Sequence, residues 1–174
     1  EIPNITGAYH EAGEMGASYF LKKGFKNFAF YGFNDIVWSR ERAEGFEKKI
    51  NAMGYKVNYF EHRKSRSTDL WYYKSNSLSK WLLSLPKPIA LMTCDDNQGL
   101  HITEACKQNK IRIPEEVAVL GVDNDEMLCE LSDPPLSSIG LDIEKGGYDT
   151  AKLMEQMIQT TASNFYDIRV KPTQ

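Results

Sequence analysis

The chain has 174 residues, 41% of them hydrophobic, with 21 Lys+Arg against 24 Asp+Glu and a formal charge of -3. A chain of this length buries roughly 70% of its unfolded surface and needs no disulfide or metal staple; its mildly acidic balance excludes a segment that grips nucleic acid by itself, because phosphate contacts need a dense basic face. No apolar stretch approaches the roughly 18 residues of a membrane helix, no signal peptide is visible, and Cys94, Cys106 and Cys129 form no CxxC pair, so they read as buried free thiols of a reducing, cytoplasmic setting.

Taken in chain order, residues 9–23 read as a helix with Met15, Tyr19 and Phe20 on one face, closed by Gly24. Residues 27–31 form a short buried strand around Phe28-Ala29-Phe30, ended by Gly32. Residues 39–53 are the next helix, with Ser39 as its N-cap, Glu41 in its first turn and Gly54 after its end. Over residues 56–60, Val57 and Tyr59 alternate with polar neighbours, as in a strand. Residues 61–75 make a polar connector, and residues 77–85 an amphipathic helix that presents Leu78, Trp81, Leu82 and Leu85 on one side before Pro86 and Pro88 stop it. Residues 89–93 are a strand, residues 95–109 a helix with Asp95 as its cap, and residues 117–122 the most strand-like run of all. Residues 137–140 read as a short strand, residues 144–161 as a helix and residues 167–171 as a last strand.

Strands alternating with helices of this length predict βαβ units and a parallel sheet. Right-handed crossovers then give an α/β, doubly wound sheet with helices on both faces. Ligands of such sheets bind beyond the carboxyl ends of the strands, which selects the residues just after Tyr31, Thr93 and Val122.

Two acidic clusters and one aromatic cluster with arginine fall there. Asp95, Asp96 and Asn97 follow one strand, Asp123, Asn124 and Asp125 another, and Phe33, Asn34, Trp38, Arg40 and Arg42 follow the first. A neutral polyol suits that rim: carboxylates accept hydroxyl hydrogen bonds, Arg donates to ring oxygens, and an aromatic ring covers the apolar face of a sugar. Paired acids also hold Mg²⁺ in phosphoryl-transfer sites, but no Gly-rich phosphate cradle accompanies these. Asp95 serves either as a helix cap or as a ligand group. Asp96 and Asn97 read as first-turn residues favoured by the helix dipole, with no ligand role. Asp123 follows a buried strand with no helix immediately after it, so capping explains it poorly. Arg42 falls in the first turn of its helix, where a positive charge opposes the dipole, which points to a role. Trp38 either packs its loop or faces the ligand, and Trp71 in the connector either stacks on a ligand or covers the core. His10, His62 and His101 lie far apart and read as surface residues without metal spacing. No GxSxG elbow is present, so neither an enzyme nor a cofactor is indicated.

The order of these pieces resembles the lactose/galactose-repressor family of effector-binding domains, whose fold is the two-lobed periplasmic-binding-protein-like type I. Phe20-Leu21-Lys22-Lys23-Gly24-Phe25-Lys26-Asn27-Phe28-Ala29-Phe30 is similar to that family's helix, Gly, basic residue and strand. Arg42-Ala43-Glu44-Gly45-Phe46 resembles its Arg-x-x-Gly-aromatic helix, and Pro88-Ile89-Ala90 through Asp95-Asp96 its strand into an acidic helix start. Ile113-Pro114-Glu115-Glu116-Val117-Ala118-Val119-Leu120-Gly121-Val122-Asp123-Asn124 resembles its Pro-x-Asp-Val strand and Gly-x-Asp-Asp turn. Pro135-Leu136-Ser137-Ser138-Ile139 resembles its Pro-Leu-Thr-Thr crossover. Within the family, Gly121-Val122-Asp123-Asn124-Asp125-Glu126 looks most like regulators of xylose operons, which carry a C-terminal helix-turn-helix of the arabinose-regulator type.

The resemblance implies that Arg42, Asp95 and Asp123 hold a sugar, xylose or another pentose, and that Trp71 lies near an aromatic of the corresponding connector. It implies a fragment: residues 1–140 would be most of lobe two, residues 141–174 a crossover helix and strand of lobe one, and the DNA-binding module would lie outside the chain. DNA would be met only through that module, no membrane partner is expected, and the full-length form would be a homodimer. A transport receptor of the same fold is the alternative.

Overall fold

A computed structural model describes residues 4–64, 71–159 and 167–173, with the backbone alone over 71–75. In chain order the elements are β1 (Ile5–Gly7), α1 (Tyr9–Lys22), β2 (Phe28–Phe33), α2 (Val37–Ala52), β3 (Val57–His62), α3 (Trp71–Ser84) and β4 (Ile89–Thr93). There follow α4 (Asp96–Gln108), β5 (Val117–Asp123), α5 (Glu126–Leu131), β6 (Ser137–Leu141), α6 (Ile143–Gln159), β7 (Ile168–Val170) and β8 (Pro172–Thr173).

β2 and β4 are buried along their whole length, and hydrophobic but for Gly32 of β2 and the closing Thr93 of β4, because each is covered on both faces of the sheet. Alternate side chains then enter two separate cores. Phe28, Phe30, Ala90 and Met92 pack with Phe20, Phe46 and Ile50 of α1 and α2 on one face. Ala29, Tyr31, Ile89 and Leu91 pack with Leu78, Leu82 and Ile102 of α3 and α4 on the other. This is the doubly wound arrangement expected from the pattern.

The sheet has six strands in the order β3-β2-β4-β5-β6-β8. β3 to β6 and β2 run parallel, and β8 closes the edge antiparallel to β6. β1 and β7 form a separate parallel pair. From β2 the chain winds outward to β3, then returns past β2 to β4. The order therefore reverses between β2 and β4, where an open α/β sheet leaves its crevice.

Several boundaries differ from expectation. β2 continues through Gly32 to Phe33 because Gly32 and Phe33 pair with Glu61 and His62 of a longer β3. The polar connector is correspondingly shorter, with α3 starting at Trp71. Ser39 is not the cap of α2, which starts two residues earlier behind Ile36. The Ser39 hydroxyl instead accepts the Phe33 backbone N–H at 2.8 Å, terminating β2 rather than starting α2. Asp123 does have a helix close behind it, the short α5, but Asp125 caps that helix by accepting the Leu128 N–H.

Candidate functional site

Three strand ends build one rim. Cys94 follows β4 and its N–H donates to Tyr31 O of β2 at 2.9 Å, so the chain after β4 is tied to the crevice. Asp123 is the last residue of β5. α2 leaves β2 and packs along α1, which aims its second turn back at the crevice.

Arg42 lies in that second turn and is 2% exposed. The dipole penalty expected of a first-turn position does not apply; burial marks this residue instead. Its Nη2 donates to Asp123 Oδ1 at 2.6 Å and its Nη1 to the Cys94 carbonyl. The guanidinium carbon lies 5.2 Å from the ring centre of Tyr9 and 5.2 Å from that of Trp38. A desolvated guanidinium needs such surroundings: an anion, a carbonyl and two π faces stand in for lost water. Its Nε, also buried, has no hydrogen-bond partner among the described residues.

Asp123 is the open half of the pair, with its side chain 44% exposed. Oδ1 is held tightly by Arg42, while Oδ2 meets Nη1 only at 3.4 Å and keeps its remaining acceptor capacity for a ligand. Trp38 is half-buried and meets Phe33 edge-on at 6.1 Å, so it packs its loop and flanks Arg42 at once. Asp95 caps α4, its Oδ1 accepting the Gln98 N–H at 2.7 Å. Burial pushes the Asp95 carboxyl above its ordinary range; the Gln98 N–H and Arg42 oppose the shift, and the Asp123 carboxylate adds to it. That mutual influence puts Asp95, Asp123 and Arg42 in one electrostatic neighbourhood. Trp71 opens α3, and its side chain lies outside the described residues.

Two residues escaped the sequence. Tyr9, the first residue of α1, is stacked on Arg42, and no local pattern signals a contact made across two helices. Asp96, read as a first-turn residue, is 1% exposed and sits behind the rim. Burial raises its carboxyl, with the Ser138 hydroxyl and the Asp125 N–H acting against the shift. His62 departs from the surface reading: its ring packs at 4.9 Å from Phe33 and 5.5 Å from Tyr31 at the end of β3.

Cys94 and Cys106 are buried free thiols and Cys129 is half-buried. Burial pushes the Cys94 thiol up to about 12, which leaves it inert beside the site. No group of three His, Cys, Asp or Glu able to hold a metal occurs among the described residues. No helix among them is long and apolar enough to cross a membrane. A cavity of about 790 Å³ opens at the opposite, amino ends of the strands, lined by Phe25, Lys26, Pro88, Ile113 and Leu136 among others, and includes none of the rim residues.

The rim can donate through a fixed guanidinium, accept through two carboxylates and cover an apolar face with indole. Comparison with known proteins places the chain in a family. A family model described as the periplasmic binding protein-like domain matches residues 17–174. The xylose operon regulatory protein of Haemophilus influenzae is 31% identical over 162 residues, covering 91% of this chain and 42% of the relative. Its counterpart in Escherichia coli K12 is 28% identical over 190 residues, covering 98% of this chain and 48% of the relative. The solved structure of a xylose-binding transcription activator superposes with a TM-score of 0.91 at 26% identity, covering 99% of this chain and 46% of that one. A regulator from Alkaliphilus metalliredigens complexed with D-xylulofuranose shares the fold at a TM-score of 0.82 and 20% identity, covering 99% of this chain and 63% of that one. The chain spans about half the length of the curated relatives it matches.

Proposed function

The chain belongs to the periplasmic binding protein-like domain family, and from that membership we propose that it is the effector-binding unit of a sugar-responsive bacterial transcription regulator, with xylose or another pentose as effector. One observation carries the proposal: a buried arginine, clamped between two aromatic rings, pairs with a half-exposed carboxylate at the carboxyl rim of a parallel sheet. That is a preformed half-site for a neutral polyol, in a chain whose relatives are named as xylose operon regulators.

In this proposal Arg42 donates to sugar oxygens, Asp95 and Asp123 accept hydroxyl hydrogen bonds, and Trp38 covers an apolar patch of the ring, with Trp71 as a further candidate from α3. No covalent chemistry is assigned. The six-stranded sheet and its helices act as one jaw, lobe two. The β1–β7 pair with α6 would belong to the other jaw, while β8 stays on the edge of the six-stranded sheet beside β6. Sugar held between the jaws favours their closed arrangement only to the extent that it binds that arrangement more tightly. Closure then changes how a DNA-binding module outside this chain is presented. The regulator works in the cytoplasm, as a homodimer, and meets DNA only through that module. The curated relatives favour it over a transport receptor of the same fold.

Calorimetry of the complete gene product against D-xylose tests the proposal. Arg42→Ala and Asp123→Ala each weaken binding at least tenfold, about 1.4 kcal/mol. Unchanged affinity in both variants, or no heat with any pentose, overturns it.

A further inference from the structure

Asp96 faces away from the rim, into the seam between β5 and β6. Its Oδ1 accepts the Ser138 hydroxyl at 2.6 Å, and its Oδ2 accepts the Asp125 backbone N–H at 2.7 Å. Ser138 Oγ in turn accepts the Asn124 backbone N–H at 3.0 Å. The hydroxyl proton thus goes to the carboxylate and a lone pair to the amide, so both groups are used in the sense their chemistry allows.

These bonds hold a turn that side-chain-bearing residues adopt reluctantly. Asp123 has φ +104 and Asn124 has φ +54, two left-handed residues in succession without a glycine. Such a turn persists only where its surroundings over-determine it. The amides that follow each of these two residues, those of Asn124 and Asp125, are the ones the Ser138–Asp96 pair captures. The carboxylate has room to do so because residue 121 is glycine; a Cβ there would lie 2.1 Å from Asp96 Oδ1. Asp123 leaves this turn with its carboxylate directed onto Arg42.

We propose that Asp96 and Ser138 are positioning residues: their hydrogen bonds hold the Asp123–Asn124 turn in its left-handed form, and so aim the Asp123 carboxylate at Arg42 and at the ligand. The consequence for the ligand rests on the sugar-binding function proposed above; the brace itself does not.

The test pairs two readouts on the complete gene product and its Ser138→Ala, Ser138→Thr and Asp96→Asn variants. Amide hydrogen exchange at Asn124 accelerates at least tenfold in Ser138→Ala, while amides of β4 keep their protection, and Ser138→Thr restores it because the hydroxyl returns. Affinity for D-xylose falls about tenfold in Ser138→Ala and less in Asp96→Asn, whose side-chain oxygen still accepts one of the two donors. Neither substitution adds to the loss in an Asp123→Ala background, which a general weakening of the fold would do. Unchanged exchange at Asn124 and Asp125 in both Ser138→Ala and Asp96→Asn overturns the brace. Faster exchange with xylose affinity unchanged, in a protein where Asp123→Ala does lose affinity, overturns the positioning role. Xylose affinity unaffected by Asp123→Ala overturns the sugar-binding function instead, and the exchange rates then decide the brace alone.

Discussion

Arg42 is 2% exposed, and each neighbour of its guanidinium substitutes for part of the lost hydration. A lysine there has no planar fork to reach Asp123 and the Cys94 carbonyl together, nor a flat face for Tyr9 and Trp38. Arg42→Lys is therefore expected to lower stability by about 2 kcal/mol, the size of a desolvated cation–π contact, read from urea unfolding. Asp95 carries a different expectation. Its native carboxyl is raised above the ordinary value of 3.8, chiefly by burial. A raised carboxyl binds its proton more tightly in the folded chain, so its contribution to stability is fully present below the unfolded value and is lost as pH rises through the folded one. Asp95→Asn still offers an oxygen to the Gln98 N–H but has no charge to desolvate. The variant should be at least as stable as the parent at pH 7, with its advantage shrinking toward pH 4, while its affinity for D-xylose falls.

At the scale of elements, the site depends on how closely α1 and α2 approach. A Cβ on Gly13 would lie 2.0 Å from Arg42 O, and one on Gly45 2.0 Å from His10 O. The two helices thus touch backbone to backbone, and that contact carries Tyr9 at the start of α1 to the guanidinium on α2. Gly45→Ala must force them apart. Overpacking of this kind costs about 3 kcal/mol, and in a chain of this size each kcal/mol lowers the melting midpoint by roughly 2–4 °C. Circular dichroism melts should register the loss, and D-xylose affinity should fall with it because the Tyr9 stack loosens.

Over the whole molecule, two sheets are joined at narrow crossings. Ala8 N–H donates to Val170 O at 2.7 Å and Asp142 N–H to Lys171 O at 2.8 Å, so the chain's passages between the sheets lie side by side. Among the described residues, the smaller side is thinly covered. On α6, Leu153 and Gly146 are buried, yet Ile143, Met154 and Ile158 are 67%, 58% and 83% exposed along one arc of the helix. Exposed apolar side chains one turn apart, such as Met154 and Ile158, promote association. The isolated chain should self-associate at high concentration. Met154→Glu with Ile158→Glu should reverse this in sedimentation velocity without lowering the melting midpoint, since neither side chain contributes to a core.

The amino-acid order alone determined the sheet and its direction. Phe28 to Tyr31 and Ile89 to Met92 are hydrophobic at every position because both faces are covered, and the helices between them have their own period, so strand, helix and crossover could each be read within one short window. The same windows put Arg42, Asp95 and Asp123 at strand ends or helix starts, and Asp95 at a cap. Tertiary structure alone decided what those residues touch. Arg42 meets partners 52 and 81 positions away, Asp96 one 42 positions away, and Ser39 ends a strand instead of opening a helix. The pairing of β1 with β7 and the antiparallel β8 belong to the same class. Periodicity and capping act over a turn or two of chain; which buried charge finds which carboxylate is settled only when packed helices and paired strands bring distant positions together and water leaves between them.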